Sequence, residues 1–321
     1  MAKPVMHIDR PVGSVERLTE GRVEVVGPDD DRLAEARAAI VGGIQWDAER
    51  FDRAPELMVL SRTGIGVDAV DLEEATRRGV LVTNTPDGPT VSTAEHTMAL
   101  LFSVAKTIGI HQDRLRRAAG DYAGASTATE LDGLTIGLLG FGRIARRVGR
   151  IAAGVGMEVL ACDPFLDPGS LVVGDGPGGD PVRAEIVGFD ELLARSDVLS
   201  LHAPLTAETR HILDRAAFDR CRPGLLFVNA ARGGLVDHDA LVEALDSGRV
   251  RAAGLDVTEP EPLDPAHTLL HRDNVVVTPH VASSTEVGRE RMLAMAIEQA
   301  LQGLSGQRPT HLVNTDVWKD S

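Results

Sequence analysis

The chain has 321 residues, which exceeds the size at which one hydrophobic core usually keeps growing, so its length predicts two domains. The formal net charge of −15 disfavours binding to nucleic acid or to anionic membranes. The longest apolar stretch, residues 98–105, is too short to span a bilayer. Two cysteines and an N-terminus without an export signal lead us to expect a cytoplasmic protein without disulfide bonds.

The first hundred residues alternate short apolar segments with segments of helical spacing. This rhythm predicts a small parallel sheet covered by helices. The expected strands are residues 5–8, 22–26, 39–41, 57–61 and 80–82, and the expected helices between them are residues 31–38 and 46–54.

The rest of the chain begins with a long apolar helix, expected from about Val91 to beyond Ala105. A second series of strands and helices follows, from Thr135 to about His280. The later expectations are a loop rich in Gly, Pro and Asp at residues 166–179, a helix at residues 285–302, and a short strand or extended arm at residues 312–314.

These elements predict an α/β protein in which one domain is inserted into another. We expect the chain to cross between domains near residues 104 and 286. Residues 1–103 and 286–321 then form the substrate domain, and residues 104–285 form the inserted cofactor domain.

Five of the expected strands in the second series end next to residues with reactive or binding side chains. In an open parallel α/β sheet, ligands bind outside the carboxyl ends of the strands, so these residues should meet in one crevice. The expected strands are residues 135–139, 159–162, 225–228, 252–255 and 275–277. The residues that follow them are, in the same order, Gly140 with Gly142, Asp163, Asn229 with Arg232, Asp256 with Glu261, and His280.

A glycine-rich turn follows the first of these strands and opens a helix at residues 143–153. Gly140 permits the tight turn, Gly142 lets the backbone approach a pyrophosphate, and Ala145 replaces the usual third glycine. Asp163 ends the next strand, 23 residues after Gly140, where a carboxylate can accept the ribose hydroxyls. Because that carboxylate repels a 2′-phosphate, the pattern favours NAD over NADP.

Three further residues suit the reduction of a 2-oxo acid. Arg232 can orient a carboxylate and polarise a carbonyl with its planar guanidinium. His280 can supply the proton, since the pKa of histidine lies near neutral pH, and Glu261 can stabilise the imidazolium. Taken singly, each residue also has an ordinary structural explanation. Arg232 can be a capping arginine, Glu261 a solvated loop acid and His280 a turn histidine.

With these residues the chain closely resembles the D-isomer-specific 2-hydroxyacid dehydrogenases, a family that includes phosphoglycerate, glyoxylate and lactate enzymes. The resemblance extends from about Leu57 to the C-terminal helix. The motifs that carry it are residues 62–68, 94–96, 138–145, 201–206, 229–234, 255–262 and 278–280.

The resemblance implies a Rossmann-type NAD-binding domain inserted in a flavodoxin-like substrate domain. It also implies that Arg232 binds substrate and that His280, paired with Glu261, transfers the proton. Further implied are a homodimer with the helix after Val91 at its interface, substrate contacts from Gly64, Ile65 and Gly66, and cofactor contacts from Arg143, Ile144, Pro204, Ala230 and Asp256.

The exact substrate is left open by departures from the family pattern. Residues 40–43, Ile-Val-Gly-Gly, stand where phosphoglycerate dehydrogenases carry arginines for the substrate phosphate, which weakens that assignment. Glu261 in place of glutamine argues against a formate dehydrogenase, whereas the Arg–Glu–His set does not exclude oxidation of phosphite. A dinucleotide-sensing protein of the corepressor type is the other alternative.

Neither His96 nor the Cys and His residues as a group predict a further reactive site. His96 follows Glu95 on the long helix, where we expect a packing or hinge role. No group of Cys or His residues has the spacing of metal ligands, so no metal is expected.

Overall fold

A computed structural model describes residues 2–9, 15–28, 31–117, 127–175 and 181–318. The chain divides into two compact units, of which the first comprises Met1–Pro89 and Ser284–Ser321 and the second comprises Thr90–Ser283. Within the described ranges, none of the helices combines the length and hydropathy needed to cross a bilayer.

The N-terminal part of the chain alternates strands and helices as expected. Its elements are β1 (Val5–Ile8), α1 (Val15–Thr19), β2 (Glu24–Val26), β3 (Ala36–Val41), α2 (Ala48–Asp52), β4 (Val59–Arg62), α3 (Leu72–Arg77) and β5 (Leu81–Thr83). The strands form a parallel sheet in the order β2-β1-β3-β4-β5, which is the flavodoxin-like order.

The predicted helix at residues 31–38 is wrong. A short 3₁₀ turn occupies Asp31–Glu35, and β3 begins at Ala36. Three of the six residues of β3 are alanine, which favours helices, yet the strand pairs with β1 and β4 in the middle of the sheet. Burial between two sheet neighbours overrides the local preference.

The second unit contains the other sheet. Its elements are α4 (Thr90–Ala105), α5 (Ile108–Arg116), β6 (Thr135–Leu139), α6 (Arg143–Gly154), β7 (Glu158–Cys162), β8 (Leu171–Asp175), β9 (Pro181–Ile186), α7 (Phe189–Arg195), β10 (Val198–Leu201), α8 (Arg215–Arg220), β11 (Leu225–Asn229), α9 (His238–Asp246), β12 (Val250–Leu255) and β13 (Val275–Val277). The order is β13-β12-β11-β10-β6-β7-β9-β8. Apart from β8, the strands are parallel and include the Rossmann order, which reverses between β6 and β10.

The strand β8 lies in a segment that the sequence analysis predicted as a loop. Leu171–Asp175 pairs with β9 in antiparallel orientation at the edge of the sheet. Three of its five residues are Leu or Val, which suits a strand despite the Gly and Pro around it. Residues 176–179 of the predicted loop lie outside the described residues.

The C-terminal part of the chain returns to the first unit as α10 (Glu286–Leu304). Thr285 caps this helix by accepting a hydrogen bond from the N–H of Gly288. Residues 312–314, predicted as a short strand or an extended arm, form no named strand but make one antiparallel bridge between Leu312 and Thr83. The side chain of Asn314 extends this attachment, because it accepts a hydrogen bond from the N–H of Val82 at 2.8 Å.

Each face of the first sheet has its own hydrophobic core. Ala39 and Val41 of β3 belong to one cluster of buried side chains, and Ala38 and Ile40 belong to another. This division follows from the alternation of side chains along a strand. The second cluster includes apolar residues of α10, which covers that face.

The first boundary between the units differs from the predicted position near residue 104. The whole helix α4 groups with the second unit, so the boundary lies at residue 89. The reason is packing, because α4 lies against α6, β11 and β12. Its buried residues Ala94, Met98 and Leu101 share a core with apolar side chains of the Rossmann-type sheet.

Candidate active site

The glycine-rich turn lies between β6 and α6, as predicted. Gly140 has a φ of +89°, and a Cβ there would lie 2.8 Å from the carbonyl carbon of His202, so only glycine fits. Gly142 is the N-cap of α6, and a Cβ on it would meet no atom within 4 Å. With no side-chain cap on this helix, its first N–H groups can bind an anion, which fits a dinucleotide pyrophosphate.

Asp163 follows β7 beside this turn. Its Oδ2 accepts a hydrogen bond from the N–H of Phe141 at 2.8 Å, and its Oδ1 accepts one from the N–H of Phe165 at 3.0 Å. The carboxylate therefore fixes the turn while keeping lone pairs for further donors. This arrangement fits a ribose whose hydroxyls donate to the same carboxylate.

Arg232 lies in a loop that the side chain of Asn229 organises. Asn229 donates from Nδ2 to the carbonyl of Arg232 at 2.8 Å and accepts from the N–H of Ala231 at 3.0 Å. A Cβ on Gly233 would lie 2.0 Å from the carbonyl oxygen of Thr258. The loop of Arg232 thus lies directly against the segment that leads to Glu261.

Glu261 and His280 form the ion pair expected from the sequence. His280 Nδ1 lies 2.5 Å from Glu261 Oε1, and both side chains are partly exposed. The backbone φ of His280 is +52°, an uncommon conformation for a residue other than glycine. Unusual backbone conformations of this kind are concentrated at functional sites.

The surroundings of His280 favour its protonated form. Its pKa is raised above the ordinary value chiefly by the hydrogen bond to Glu261, with help from the charges of Glu261 and Asp256. Burial and the positive charge of Arg232 oppose this effect. The second unit therefore brings the imidazole, the carboxylate and the guanidinium close enough to interact.

Asp256, which the resemblance assigns to the dinucleotide, is fully buried at the end of β12. Its carboxylate accepts hydrogen bonds from the hydroxyl of Thr278 and from the main-chain N–H groups of Val281 and Ala282. These residues surround His280. The sequence did not predict this internal role, and the cofactor contact stays a prediction.

The loop Gly64-Ile65-Gly66 follows β4 in the first unit. Its three carbonyl groups all accept hydrogen bonds from within that unit. The donors are the N–H of Thr85 for Gly64, Asn84 Nδ2 for Ile65 and Arg62 Nε for Gly66. With the carbonyls engaged, the N–H groups are what this loop can offer to a ligand.

The other residues assigned by resemblance lie at the carboxyl side of the second sheet. Arg143 and Ile144 open α6, Pro204 follows β10, and Ala230 follows β11. His202 is near this group, and burial lowers its pKa to about 3. It is therefore neutral in the folded protein at ordinary pH, and it pairs with the hydroxyl of Ser200 at 2.9 Å.

A cluster of charged side chains next to Glu261 was not predicted from the sequence. Glu259, which lies two residues before Glu261, pairs with Arg210 at 2.7 Å and with His211 at 3.0 Å. Residues 210 and 259 are far apart in sequence, and each by itself resembles an ordinary surface charge, so no sequence signal indicated that they pair.

Across the described ranges, no three His, Cys, Asp or Glu side chains are arranged to hold a metal ion.

Comparison with known proteins identifies the family. Residues 98–282 match the model of the D-isomer specific 2-hydroxyacid dehydrogenase, NAD binding domain. The chain belongs to this family. The cofactor is NAD, as the glycine turn and Asp163 indicated.

Individual relatives agree with this assignment. The chain is 39% identical over 297 residues to D-3-phosphoglycerate dehydrogenase from Mycobacterium leprae, covering 91% of this chain and 54% of that protein. It is 37% identical over 278 residues to glyoxylate reductase from Thermofilum pendens, covering 85% of this chain and 79% of that protein. The chain therefore spans about half the length of the phosphoglycerate dehydrogenase that it matches.

A solved structure supports the same fold. D-lactate dehydrogenase from Aquifex aeolicus, complexed with NAD and lactic acid, superposes with a TM-score of 0.80 at 28% identity. The match covers 94% of this chain and 96% of that one. The predicted α/β architecture, with a Rossmann-type NAD-binding fold, is confirmed.

Proposed function

We propose that this dehydrogenase transfers hydride between NAD(H) and a small D-2-hydroxy acid or its 2-oxo partner. The observation that carries the proposal is the Glu261–His280 pair, with the loop of Arg232 packed against the segment that leads to Glu261. An acid–base group and a guanidinium are what this chemistry needs beside a nicotinamide cofactor. The family, and relatives named for phosphoglycerate and glyoxylate, favour this function over a corepressor or an oxidoreductase acting on phosphite or formate.

The protein groups divide the chemistry between them. NAD(H), when bound, supplies or accepts the hydride. In reduction, protonated His280 donates from Nε2 to the carbonyl oxygen of the substrate, while Glu261 at Nδ1 orients the ring and stabilises its charge. Arg232 binds the substrate carboxylate and polarises the carbonyl. In oxidation, neutral His280 accepts the hydroxyl proton.

The resemblance implies that the loop Gly64-Ile65-Gly66 also binds the substrate carboxylate, and we propose the same for this chain. The N–H groups of Gly64, Ile65 and Gly66 are the proposed donors, because the loop carbonyls are already engaged. Arg143, Ile144, Pro204, Ala230 and Asp256 are proposed to contact the dinucleotide, as the resemblance implies. The first and second units are correspondingly proposed as the substrate domain and the cofactor domain.

We propose that the substrate lacks a phosphate group. Gly42, in the segment where phosphoglycerate dehydrogenases carry arginines, donates its N–H to the carboxylate of Asp9. Residues 40–43, Ile-Val-Gly-Gly, offer no guanidinium that could hold a phosphate dianion. Unphosphorylated acids such as glyoxylate, hydroxypyruvate and pyruvate should therefore react better than phosphohydroxypyruvate.

We also propose a cytoplasmic homodimer. The two cysteines, Cys162 and Cys221, are free thiols, which suits a reducing compartment. The resemblance places the helix after Val91, α4, at the interface of this dimer. The next helix, α5, has no buried residue in the chain by itself, although it carries Ile108 and Leu115, and we propose that it extends the interface. A second copy of the chain would cover these side chains.

The experiment that tests the function is a substrate panel. Purified protein and NADH are mixed with glyoxylate, hydroxypyruvate, pyruvate, phenylpyruvate, 2-oxoglutarate or phosphohydroxypyruvate, and NADH consumption is followed. We expect turnover with at least one unphosphorylated acid. His280→Ala should reduce that turnover by about 100-fold to 10,000-fold, with little change in NADH affinity, because it removes the proton donor.

Phosphite and formate with NAD serve as the comparison reactions. NADH formation from either anion, together with no reaction on any 2-oxo acid, would contradict the proposal. Wild-type turnover in His280→Ala would remove this residue from the mechanism.

A further inference from the structure

The carboxylate of Asp256 holds the turn that contains His280. Asp256 is fully buried, and its Oδ1 accepts from Thr278 Oγ1 at 2.6 Å and from the N–H of Val281 at 2.9 Å. Its Oδ2 accepts from the N–H of Ala282 at 2.8 Å. A buried carboxylate requires such donors, so the turn and the carboxylate stabilise each other.

His280 is attached to the same residue through the main chain. Its N–H donates to the carbonyl of Asp256 at 2.8 Å. The hydrogen bonds to the carboxylate come from the residues on both sides of His280, at positions 278, 281 and 282. Together they maintain the positive φ of His280, a conformation that a non-glycine residue rarely keeps without support.

His96, on helix α4, contacts this group from outside the loop. Its Nε2 lies 3.0 Å from Thr278 Oγ1 and 3.4 Å from Asp256 Oδ1. A carboxylate can only accept, so the Thr278 hydroxyl proton points to Asp256. The hydroxyl oxygen therefore accepts from His96, whose Nε2 must carry a hydrogen.

We propose that His96 is a positioning residue for the proton transfer, acting through Thr278 and Asp256 on the turn of His280. This inference rests on the proposed function, because it concerns the same His280. The chain of contacts runs from the His96 ring to the Thr278 hydroxyl, to the Asp256 carboxylate, and to the amides on the far side of His280. A role confined to helix packing would not depend on the hydrogen at His96 Nε2.

The test compares two pairs of variants. His96→Ala removes the donor, and His96→Gln keeps an N–H group at similar reach. Thr278→Val removes the bridging hydroxyl, and Thr278→Ser restores it. His271→Ala is the matched control, since His271 is an exposed histidine whose ring contacts the carbonyl of Pro265 at 2.8 Å, outside this group.

The first measurement is an NMR titration of the histidine rings, which requires no substrate. In His96→Ala and Thr278→Val we expect the pKa of His280 to fall towards the ordinary value, because its contact with Glu261 loosens. His96→Gln, Thr278→Ser and His271→Ala should titrate like the wild type. An unchanged His280 titration in both His96→Ala and Thr278→Val would overturn the inference.

The second measurement is steady-state reduction of the best acid in the panel. A small displacement of a proton donor lowers kcat, so we expect a loss of about tenfold to hundredfold in His96→Ala and Thr278→Val, with the KM for NADH unchanged. The double variant should lose little more than either single variant, since both act through one contact. Independent, additive losses, or no recovery in His96→Gln, would overturn the inference.

The two proposals can fail separately. If the wild type reduces none of the acids, the proposed function fails, while the titration still decides whether His96 positions His280. If the wild type is active and the His96 and Thr278 variants match it in kcat, only the positioning role fails.

Discussion

Glu261 and His280 are partly exposed side chains that acquire a shared function from their 2.5 Å contact. The hydrogen bond raises the pKa of His280, so the imidazolium form extends to higher pH than in a free histidine. Burial and Arg232 act in the opposite direction. The balance sets the pH range in which the residue can donate a proton.

The pH dependence of the two directions should therefore be opposite. Reduction needs protonated His280, so kcat/KM for the 2-oxo acid should decrease as pH rises through the raised pKa. Oxidation needs neutral His280 and should increase over the same range. In Glu261→Gln the charge and its hydrogen bond are weakened, which should move both midpoints to lower pH. Initial rates between pH 5 and 10 measure this shift, and midpoints unmoved by the substitution would contradict the pairing.

The proposed contact of Asp163 with the ribose can be tested by a single substitution. We expect Asp163→Ala to reduce the preference for NADH over NADPH by about fivefold or more, since two charges 4 Å apart interact by about 1 kcal/mol even in water. The ratio of kcat/KM for the two cofactors is the measurement. Asp167→Ala, an exposed acid in the next turn, should keep the wild-type ratio. An unaltered ratio in Asp163→Ala would argue against the ribose contact.

At the scale of elements, the loop after β11 and the loop after β12 must approach closely for Arg232 and Glu261 to act together. The absence of a side chain at Gly233 permits this approach, because a Cβ would lie 2.0 Å from the Thr258 carbonyl oxygen. The atoms nearest to this Cβ all belong to the backbone of Thr258 and Glu259, so no flexible side chain could move aside.

Gly233→Ala should therefore separate these loops. We expect a loss of about 1–3 kcal/mol in the free energy of unfolding from overpacking, and a clear fall in kcat. NADH affinity should change little, because the glycine turn at Gly140 is untouched. Gly154→Ala is the control, since a Cβ there meets no atom within 4 Å. Chemical denaturation and steady-state kinetics measure both effects, and equal behaviour of the two variants would refute the packing argument.

Several elements could be predicted from local patterns. The turn at Gly140, the helix after it and the strands before Asp163 and Arg232 were predicted close to their observed bounds, because apolar periodicity and glycine placement act locally. The errors at residues 36–38 and at Leu171–Asp175 arose because these segments are strands whose partners lie elsewhere in the sheet. Pairing with other strands of the sheet decided those segments, and a local pattern does not contain that information.

At the scale of the whole molecule, helix α5 leaves apolar side chains uncovered. Leu115 is 66% exposed and Ile108 is 54% exposed. If the proposed homodimer forms across this helix, sedimentation should give about twice the 34.1 kDa chain mass, and Leu115→Glu should shift the protein towards the monomer. Val287→Glu, at an exposed apolar position on α10, is the control. A dimer that resists Leu115→Glu would place the interface elsewhere.

The sequence by itself determined the α/β class, the cofactor and the three residues proposed for substrate and proton. These depend on strand ends, glycine spacing and side-chain chemistry, which are readable along the chain. The tertiary structure decided that α4 belongs with the second unit and that Asp256, Thr278 and His96 converge around His280. His96 and Thr278 are 182 residues apart, so only the packing of α4 against the sheet brings them into hydrogen-bond distance.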